Sequence, residues 1–256
     1  KNKNIAVVAN QTSLLSDKTH LVDFLVKNNI KIKEIFAPEH GFRGNADAGE
    51  HVKNGIDTKT GLPIVSLYGD NKKPKPEQLQ GIDLILFDIQ DVGARFYTYI
   101  STLTYVMEAA AENNIEVMVL DRPNPHDGYI DGPILKEKWT SFVGLHPVPV
   151  VYGLTIGEYG KMVNGEKWLK NGIQAKYTMI PMLNYHKKQR YPISEKPSPN
   201  LPNDKSVNLY PSLCFFEGTQ VSVGRGTNFP FQVFGSPWLK NYHFKFTPKP
   251  NFGAKD

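Results

Sequence analysis

Cysteine is almost absent from this chain. A single residue, Cys214, excludes an internal disulfide and any cysteine-built zinc cage, and its setting, Leu213-Cys214-Phe215-Phe216, reads as core. No apolar run approaches the roughly 20 residues of a membrane-spanning helix. No G-x-G-x-x-G or G-x-x-x-x-G-K pattern follows the first apolar run, so no nucleotide cofactor is expected. Gly224-Arg225-Gly226 comes late and outside a strand–turn–helix setting, which makes it weak evidence for phosphate. A G-x-S-x-G elbow is missing, which argues against a serine hydrolase of the α/β type. The histidines (His20, His40, His51, His126, His146, His186 and His243) show no paired ligand spacing, and no metal is expected. The formal charge of +5 is mild for 256 residues, and lysines such as Lys31, Lys33, Lys72, Lys73, Lys187 and Lys188 are scattered. Without a recognition helix or an aromatic RNA-binding signature, nucleic acid is not an expected partner; a weak preference for anionic ligands is all the charge supports. No signal peptide is visible, but the chain is in a strand by Ile5, as if its start were processed or trimmed.

What the chain does have is a repeated alternation. Apolar runs at Ile5–Ala9, Ile32–Phe36, Pro63–Tyr68, Leu84–Phe87 and Glu116–Leu120 read as strands. Between them lie helix-like segments: one capped at Ser16-Asp17 and running to about Asn28, a short one at Pro76–Leu79, and one from about Thr102 to Asn113. This order predicts an α/β fold, a Rossmann-like parallel sheet with helices on both faces. After residue 125 prolines and aromatics become more frequent. Thr155-Ile156-Gly157-Glu158 is a capping box that opens another helix, and a strand is expected through Tyr177–Met182. The expected division is a domain over 1–130 carrying the sheet-edge loops and a smaller α+β subdomain over 131–256.

The strand exits carry the chemistry. Asn10-Gln11-Thr12, Glu39-His40, Tyr68-Gly69, Asp88-Ile89-Gln90-Asp91 and Asp121-Arg122 each follow a predicted strand. In a parallel sheet all five emerge at the carboxyl edge, where open α/β sheets bind ligands. The densest is Ala37-Pro38-Glu39-His40-Gly41-Phe42-Arg43-Gly44, an acid, an imidazole and a guanidinium interleaved with two glycines. A carboxyl group delivered there suits a general acid or base. Further along, Pro197-Ser198-Pro199-Asn200-Leu201-Pro202 reads as a rigid turn, and Glu217 to Arg225 as a loop lining a cleft. Carboxylates with tyrosines, arginines and amides suit a glycosidase-like site, although esterase and transferase sites share these residue types. Phe42, Tyr97 and Tyr99 are candidate sugar-packing rings.

The segments Asn10-Gln11-Thr12, Phe36 to Gly44, Thr60-Gly61-Leu62-Pro63 and Phe87 to Tyr99 closely resemble the exo-β-N-acetylmuramidase (NamZ-like) family. So do Asp121 to Pro125, Pro197 to Asn200, Phe216 to Thr219 and Gly224 to Thr227, and the resemblance covers nearly the whole chain in order. It implies an exo-acting peptidoglycan hydrolase that removes N-acetylmuramic acid from non-reducing ends. The implied site is a cleft between a Rossmann-like part and a smaller second part, with Glu39 as the catalytic glutamate. Asp88 and Asp91 are candidates to activate water or orient the substrate's acetamide. Arg95, Arg122 and Arg225 are candidates for its lactyl carboxylate, since a guanidinium fork matches that anion. Asn10, His40, Arg43, Gln90, Tyr97, Asp121, Asn200 and Glu217 complete the expected substrate-binding set. The family's chain continues past Asp256, so a tail with a further tyrosine is expected to be missing, and the substrate implies an extracytoplasmic setting, with a lipid anchor among the forms a missing N-terminal segment could take.

Overall fold

The computed structural model describes residues 3–43 and 54–250. Gly44 and His51 lie outside the described residues. These residues form a sheet of seven strands: β1 (Ile5–Ala9), β2 (Ile32–Ala37), β3 (Gly55–Ile56), β4 (Pro63–Ser66), β5 (Leu84–Asp88), β6 (Glu116–Leu120) and β7 (Lys176–Ile180). Their order is β3-β4-β2-β1-β5-β6-β7, and every pairing is parallel except β3 with β4. Successive strands move outward from β1 to one side and then, from β5 onward, to the other. The loops after β1 and β5 therefore part company, which is where open sheets form a crevice.

The central strands have apolar residues on both faces, and the two cores follow from that. Ala6 and Val8 of β1 join Phe36, Ile85, Phe87, Val117 and Val119 in the larger core, packed under Leu103, Val106 and Met107 of α2 (Tyr99–Glu112) and Tyr159 and Val163 of α3 (Ile156–Gly165). Ile5, Val7 and Ala9 face the other way with Ile35, Ala37 and Leu86, under Leu21 and Val22 of α1 (Leu21–Lys27). Strand β7, which lies within 131–256, is the last strand of the same sheet.

Helix starts differ from the sequence reading in an informative way. α1 is capped by His20, not by Ser16 or Asp17: its Nδ1 accepts from Val22 N at 3.2 Å while Nε2 contacts the Asn10 carbonyl at 2.9 Å. Those two contacts require the neutral Nε2–H tautomer, and burial lowers the ring's pKa accordingly. α2 begins at Tyr99, earlier than the expected Thr102. α3 opens on its capping box, Thr155 with Glu158.

A fourth helix, α4 (Asp204–Leu213), is absent from the sequence reading because Pro211 lies inside it. Asn203 caps it through Ser206 N at 3.0 Å, and Val207, Tyr210 and Leu213 form its buried face. Proline removes the N–H that would meet the Val207 carbonyl. That carbonyl instead faces His126 Nε2 at 3.0 Å, from the loop after β6. His126→Phe, which keeps a ring but removes the donor, should lower stability by about 1–3 kcal/mol. Pro211→Ala should recover part of that loss by restoring the helical bond, as read from urea midpoints of the single and double variants. Equal midpoints in parent and His126→Phe would show that this bond does not secure α4.

Candidate active site at the carboxyl edge

The register brings the strand ends level. Ala9 pairs with Asp88, Val8 with Phe36, Ala37 with Ser66, and Leu120 with Ile180. At the end of β1 the chain turns on itself: Asn10 Oδ1 accepts from Thr12 N at 2.9 Å and from Thr12 Oγ1 at 2.6 Å. Ser13 Oγ donates to the Asp88 carbonyl, and Gln90 N donates to Thr12 Oγ1 at 3.0 Å, so the β1 and β5 exits are tied together.

Glu39 leaves β2 in a tight turn closed by Gly41 N to the Pro38 carbonyl at 3.0 Å. His40 (φ +70°) and Gly41 (φ +80°) are both left-handed, a conformation a non-glycine residue adopts at a cost of order 1–3 kcal/mol. The turn leaves His40 buried and Glu39 half-buried. Thr98 stands at the N-cap of α2, yet its hydroxyl makes no capping bond; it donates to Glu39 Oε2 at 2.8 Å. The Tyr68 hydroxyl, at the β4 exit, also bonds Glu39. Burial, the charge of Glu39 and that bond push Tyr68 up to about 12. Neither Thr98 nor Tyr68 belongs to the site set expected from sequence. The signal for Tyr68 is its strand-exit position, and Thr98 has no signal apart from the loop it sits in.

The other expected residues fall into distinct groups. Asp88 is 2 % exposed and meets Arg122 in a two-pronged pair, Nε to Oδ1 at 2.6 Å and Nη2 to Oδ2 at 2.9 Å. Arg122 also reaches the Leu14 carbonyl, and its side chain stays 22 % exposed. It borders a recess of about 210 Å³ shared with Thr12, Gln90 and Tyr191. Gln90 Nε2 bridges the Asp91 and Pro123 carbonyls at 2.8 and 2.6 Å. Asp121 has both oxygens occupied by the start of α3, Oδ2 by Thr155 Oγ1 at 2.7 Å and Oδ1 by Gly157 N at 2.8 Å. Its role in the structure is to join β6 to α3.

Arg43 turns away from Glu39 to pair with Asp57 at 2.9 Å and Asp23 at 3.2 Å, so a simple pairing of Glu39 with Arg43 does not describe this loop. Arg95 is buried with Nη1 donating to the Pro133 and Val148 carbonyls. Its guanidinium fastens the 131–151 segment and offers no open fork to a carboxylate. Phe42 packs edge-on against His20 at 4.9 Å within the smaller core, and Tyr97 and Tyr99 are buried edge-on against each other at 4.9 Å. Stacking on a sugar face is thus not their work; they wall the site instead.

The Pro197–Asn200 turn closes over this edge. Gln11 Nε2 donates to the Lys196 and Pro197 carbonyls, and the Tyr99 hydroxyl donates to Pro197 O at 2.9 Å. Among the described residues the buried Asn200 Nδ2 makes no hydrogen bond, while the Asn10 side chain faces the Tyr99 hydroxyl. A buried donor left open at a strand-exit crevice suits an acceptor oxygen of a ligand. Glu217 and Arg225 pair at 2.6 Å on the C-terminal side of the crevice. Among the described residues no three His, Cys, Asp or Glu side chains gather as a metal site.

Residues 5–205 match the family described as Exo-beta-N-acetylmuramidase NamZ, N-terminal, and residues 208–249 its C-terminal counterpart. The chain belongs to the NamZ family. It is 46% identical over 253 residues to the peptidoglycan beta-N-acetylmuramidase NamZ of Bacillus subtilis, covering 96% of this chain and 60% of that protein. It thus spans about three fifths of that NamZ relative's length. A solved DUF1343 family protein from Bacteroides fragilis is 48% identical with a TM-score of 0.91, over 100% of this chain and 68% of that one. A second from the same organism is 36% identical with a TM-score of 0.86, over 94% and 62%. These neighbours share the Rossmann-like α/β arrangement.

Two predictions follow from the buried carboxylates of this NamZ chain. Arg122→Met strands a charge beneath the surface and should cost about 3–5 kcal/mol, while Asp88→Asn with Arg122→Met should recover much of it. Additive losses in a denaturation cycle would show that the pair is not coupled. Asp91 is different: its Oδ2 accepts from Gly93 N at 2.7 Å and from the Tyr152 hydroxyl, and burial nonetheless raises its pKa from 3.8 to about 6. Between those values the native state holds a proton the unfolded chain has released, so stability falls as pH rises from about 4 to 6. Relative to Asp91→Asn, the parent should lose on the order of 2 kcal/mol across that window. Parallel stability curves for the two would place the Asp91 proton elsewhere.

Proposed function

We propose that this protein is an exo-acting glycoside hydrolase that releases N-acetylmuramic acid from the non-reducing ends of peptidoglycan fragments, in cell-wall turnover. The observation that carries the reading is Glu39. It is a half-buried carboxyl at the switch-point edge, set by a strained turn and bonded by the Thr98 and Tyr68 hydroxyls, in a chain whose two parts both match the exo-β-N-acetylmuramidase description. Glycosidic cleavage needs one carboxyl to deliver a proton to the leaving oxygen, and Glu39 has that place.

The remaining polar groups take substrate roles. The open amide donor of Asn200, with Asn10 beside it, meets hydroxyl or acetamide oxygens of the sugar. Arg122, partly open to the recess beside Gln90, meets the lactyl carboxylate while keeping Asp88 neutralised. A substrate derived from the wall supports an extracytoplasmic setting.

Glu39→Gln should abolish release of N-acetylmuramic acid from peptidoglycan fragments, a loss on the order of a thousandfold, with an unchanged melting temperature. Chromatography of the digested fragments reads the outcome. Near-normal release by that variant would remove Glu39 from the chemistry. Saturable binding by the parent protein with no product would make it a muramyl-binding protein.

A further inference from the structure

A recess of about 580 Å³ lies along α2, between the loop after β4 and the 140–146 segment. Its size is that of clefts that hold small ligands. Two stacked ring pairs flank it, Tyr105 with Phe142 at 5.8 Å and His146 with Trp168 at 5.4 Å. The buried acid within it, Glu108, is already occupied: Oε2 accepts from Lys73 at 3.2 Å and Oε1 from the Lys170 backbone N–H at 2.9 Å. Lys72, Lys75 and Lys170 also line the recess, and among the described residues their ammonium groups make no salt bridge. Lys72 lies over the Phe142 ring at 5.1 Å, and Asp70 is the other acid of the lining. Asn71 is oriented by its Nδ2, which donates to the Ser66 carbonyl at 2.7 Å. Its Oδ1 is buried and, among the described residues, accepts no hydrogen bond. An open acceptor beside spare ammonium groups suits a ligand that carries both N–H or O–H donors and a negative charge.

Two stretches of chain tether this recess to Glu39. Thr98, which donates to Glu39, caps α2, and Tyr105 comes seven residues later, about 10 Å along the helix axis. Tyr68, which also bonds Glu39, is followed within three residues by Asp70 and Asn71, at most about 10 Å of chain. Tyr68 and Gly69 are half-buried and Asp70 is exposed, so this connection runs along the surface rather than through packed core.

We infer that the recess is a distal subsite for the departing glycan, which holds the lactyl carboxylate of its second sugar on Lys72, Lys75 and Lys170. This rests on the glycosidase reading above and extends it. Peptidoglycan alternates two amino sugars, only one of which bears a lactyl ether. The first carboxylate beyond the cleaved bond is therefore on the second sugar, and two linked pyranose rings match the separation between the partners of Glu39 and the recess. Ammonium groups meet that carboxylate, and Asn71 Oδ1 accepts from a hydroxyl or an acetamide N–H of the same sugar. Contacts so far from the reacting bond are made equally before and during cleavage, so they act on KM rather than kcat.

The test compares two peptide-free substrates on the intact protein, one disaccharide repeat and a tetrasaccharide of two repeats, each with N-acetylmuramic acid at the non-reducing end. Replacing Lys72, Lys75 and Lys170 together by glutamine should lower the ratio of kcat/KM for tetrasaccharide over disaccharide about tenfold, through KM of the longer substrate. An unchanged ratio, or equal losses on both substrates, overturns the inference. Should the triple variant not fold, Lys75→Gln and Lys170→Gln, both at exposed positions, decide singly, each expected to lower the ratio about two- to threefold. A parent that releases no sugar from either substrate would end the glycosidase reading instead. Calorimetry then decides the recess alone: tetrasaccharide binding weakened about tenfold by the lysine substitutions supports it, and equal affinities overturn it.

Discussion

The pairing of Asp88 with Arg122 is the interaction on which the site's geometry depends. A carboxylate 2 % exposed at the last position of a central strand is tolerable only with a fixed opposite charge. Arg122 comes from the neighbouring β6 exit, so neutralising Asp88 also binds two strand ends together. The same guanidinium reaches Leu14, and the Asp88 backbone carbonyl accepts from Ser13, which draws the β1 exit to the same point. With three exits locked, Gln90 can bridge to Pro123, and Gly93 (φ +73°) can pass so close to Asn124 that a Cβ there would lie 2.0 Å from its Oδ1. The crevice is rigid where β1, β5 and β6 end. Glu39, on the turn after β2, is the member that reaches into it from the side.

Much of this was legible because burial of both sheet faces leaves a continuous apolar signature. β1, β5 and β6 were readable as strands, and their exits as a polar edge, since a parallel arrangement forces those exits together. Partner choice was less legible. Nothing local indicates that Arg43 would pair with Asp57 and Asp23 rather than Glu39, because Asp23 lies on α1 and Asp57 beyond β3. Asp121 reads as a site carboxylate by position, yet the start of α3 takes both its oxygens. Aromatic residues in a decorated loop look like sugar platforms, but Tyr97 and Tyr99 are drawn into the core by each other and by Tyr210. α4 was hidden because the bond lost at Pro211 is replaced from a distant loop, by His126. Pairwise choices across the fold carry no signature in one stretch of chain.

The placement of α4 matters beyond stability. Its Tyr210 contacts Tyr97 of the β5–α2 loop, and Phe231 and Arg225 build outward from that contact to Glu217. Residues 208–249, which match the C-terminal family description, therefore add to the edge already made by the strands. The sheet itself extends past residue 130, since β7 completes it and α3 covers it, and the two family matches meet near residue 205. The two matched stretches meet where Tyr210 seats edge-on against Tyr97 at 5.7 Å, a packing contact rather than a polar one. The seat of α4 on the sheet edge is therefore set by the fit of tyrosine rings, and a change of volume at Tyr97 or Tyr210 acts on both sides of that join.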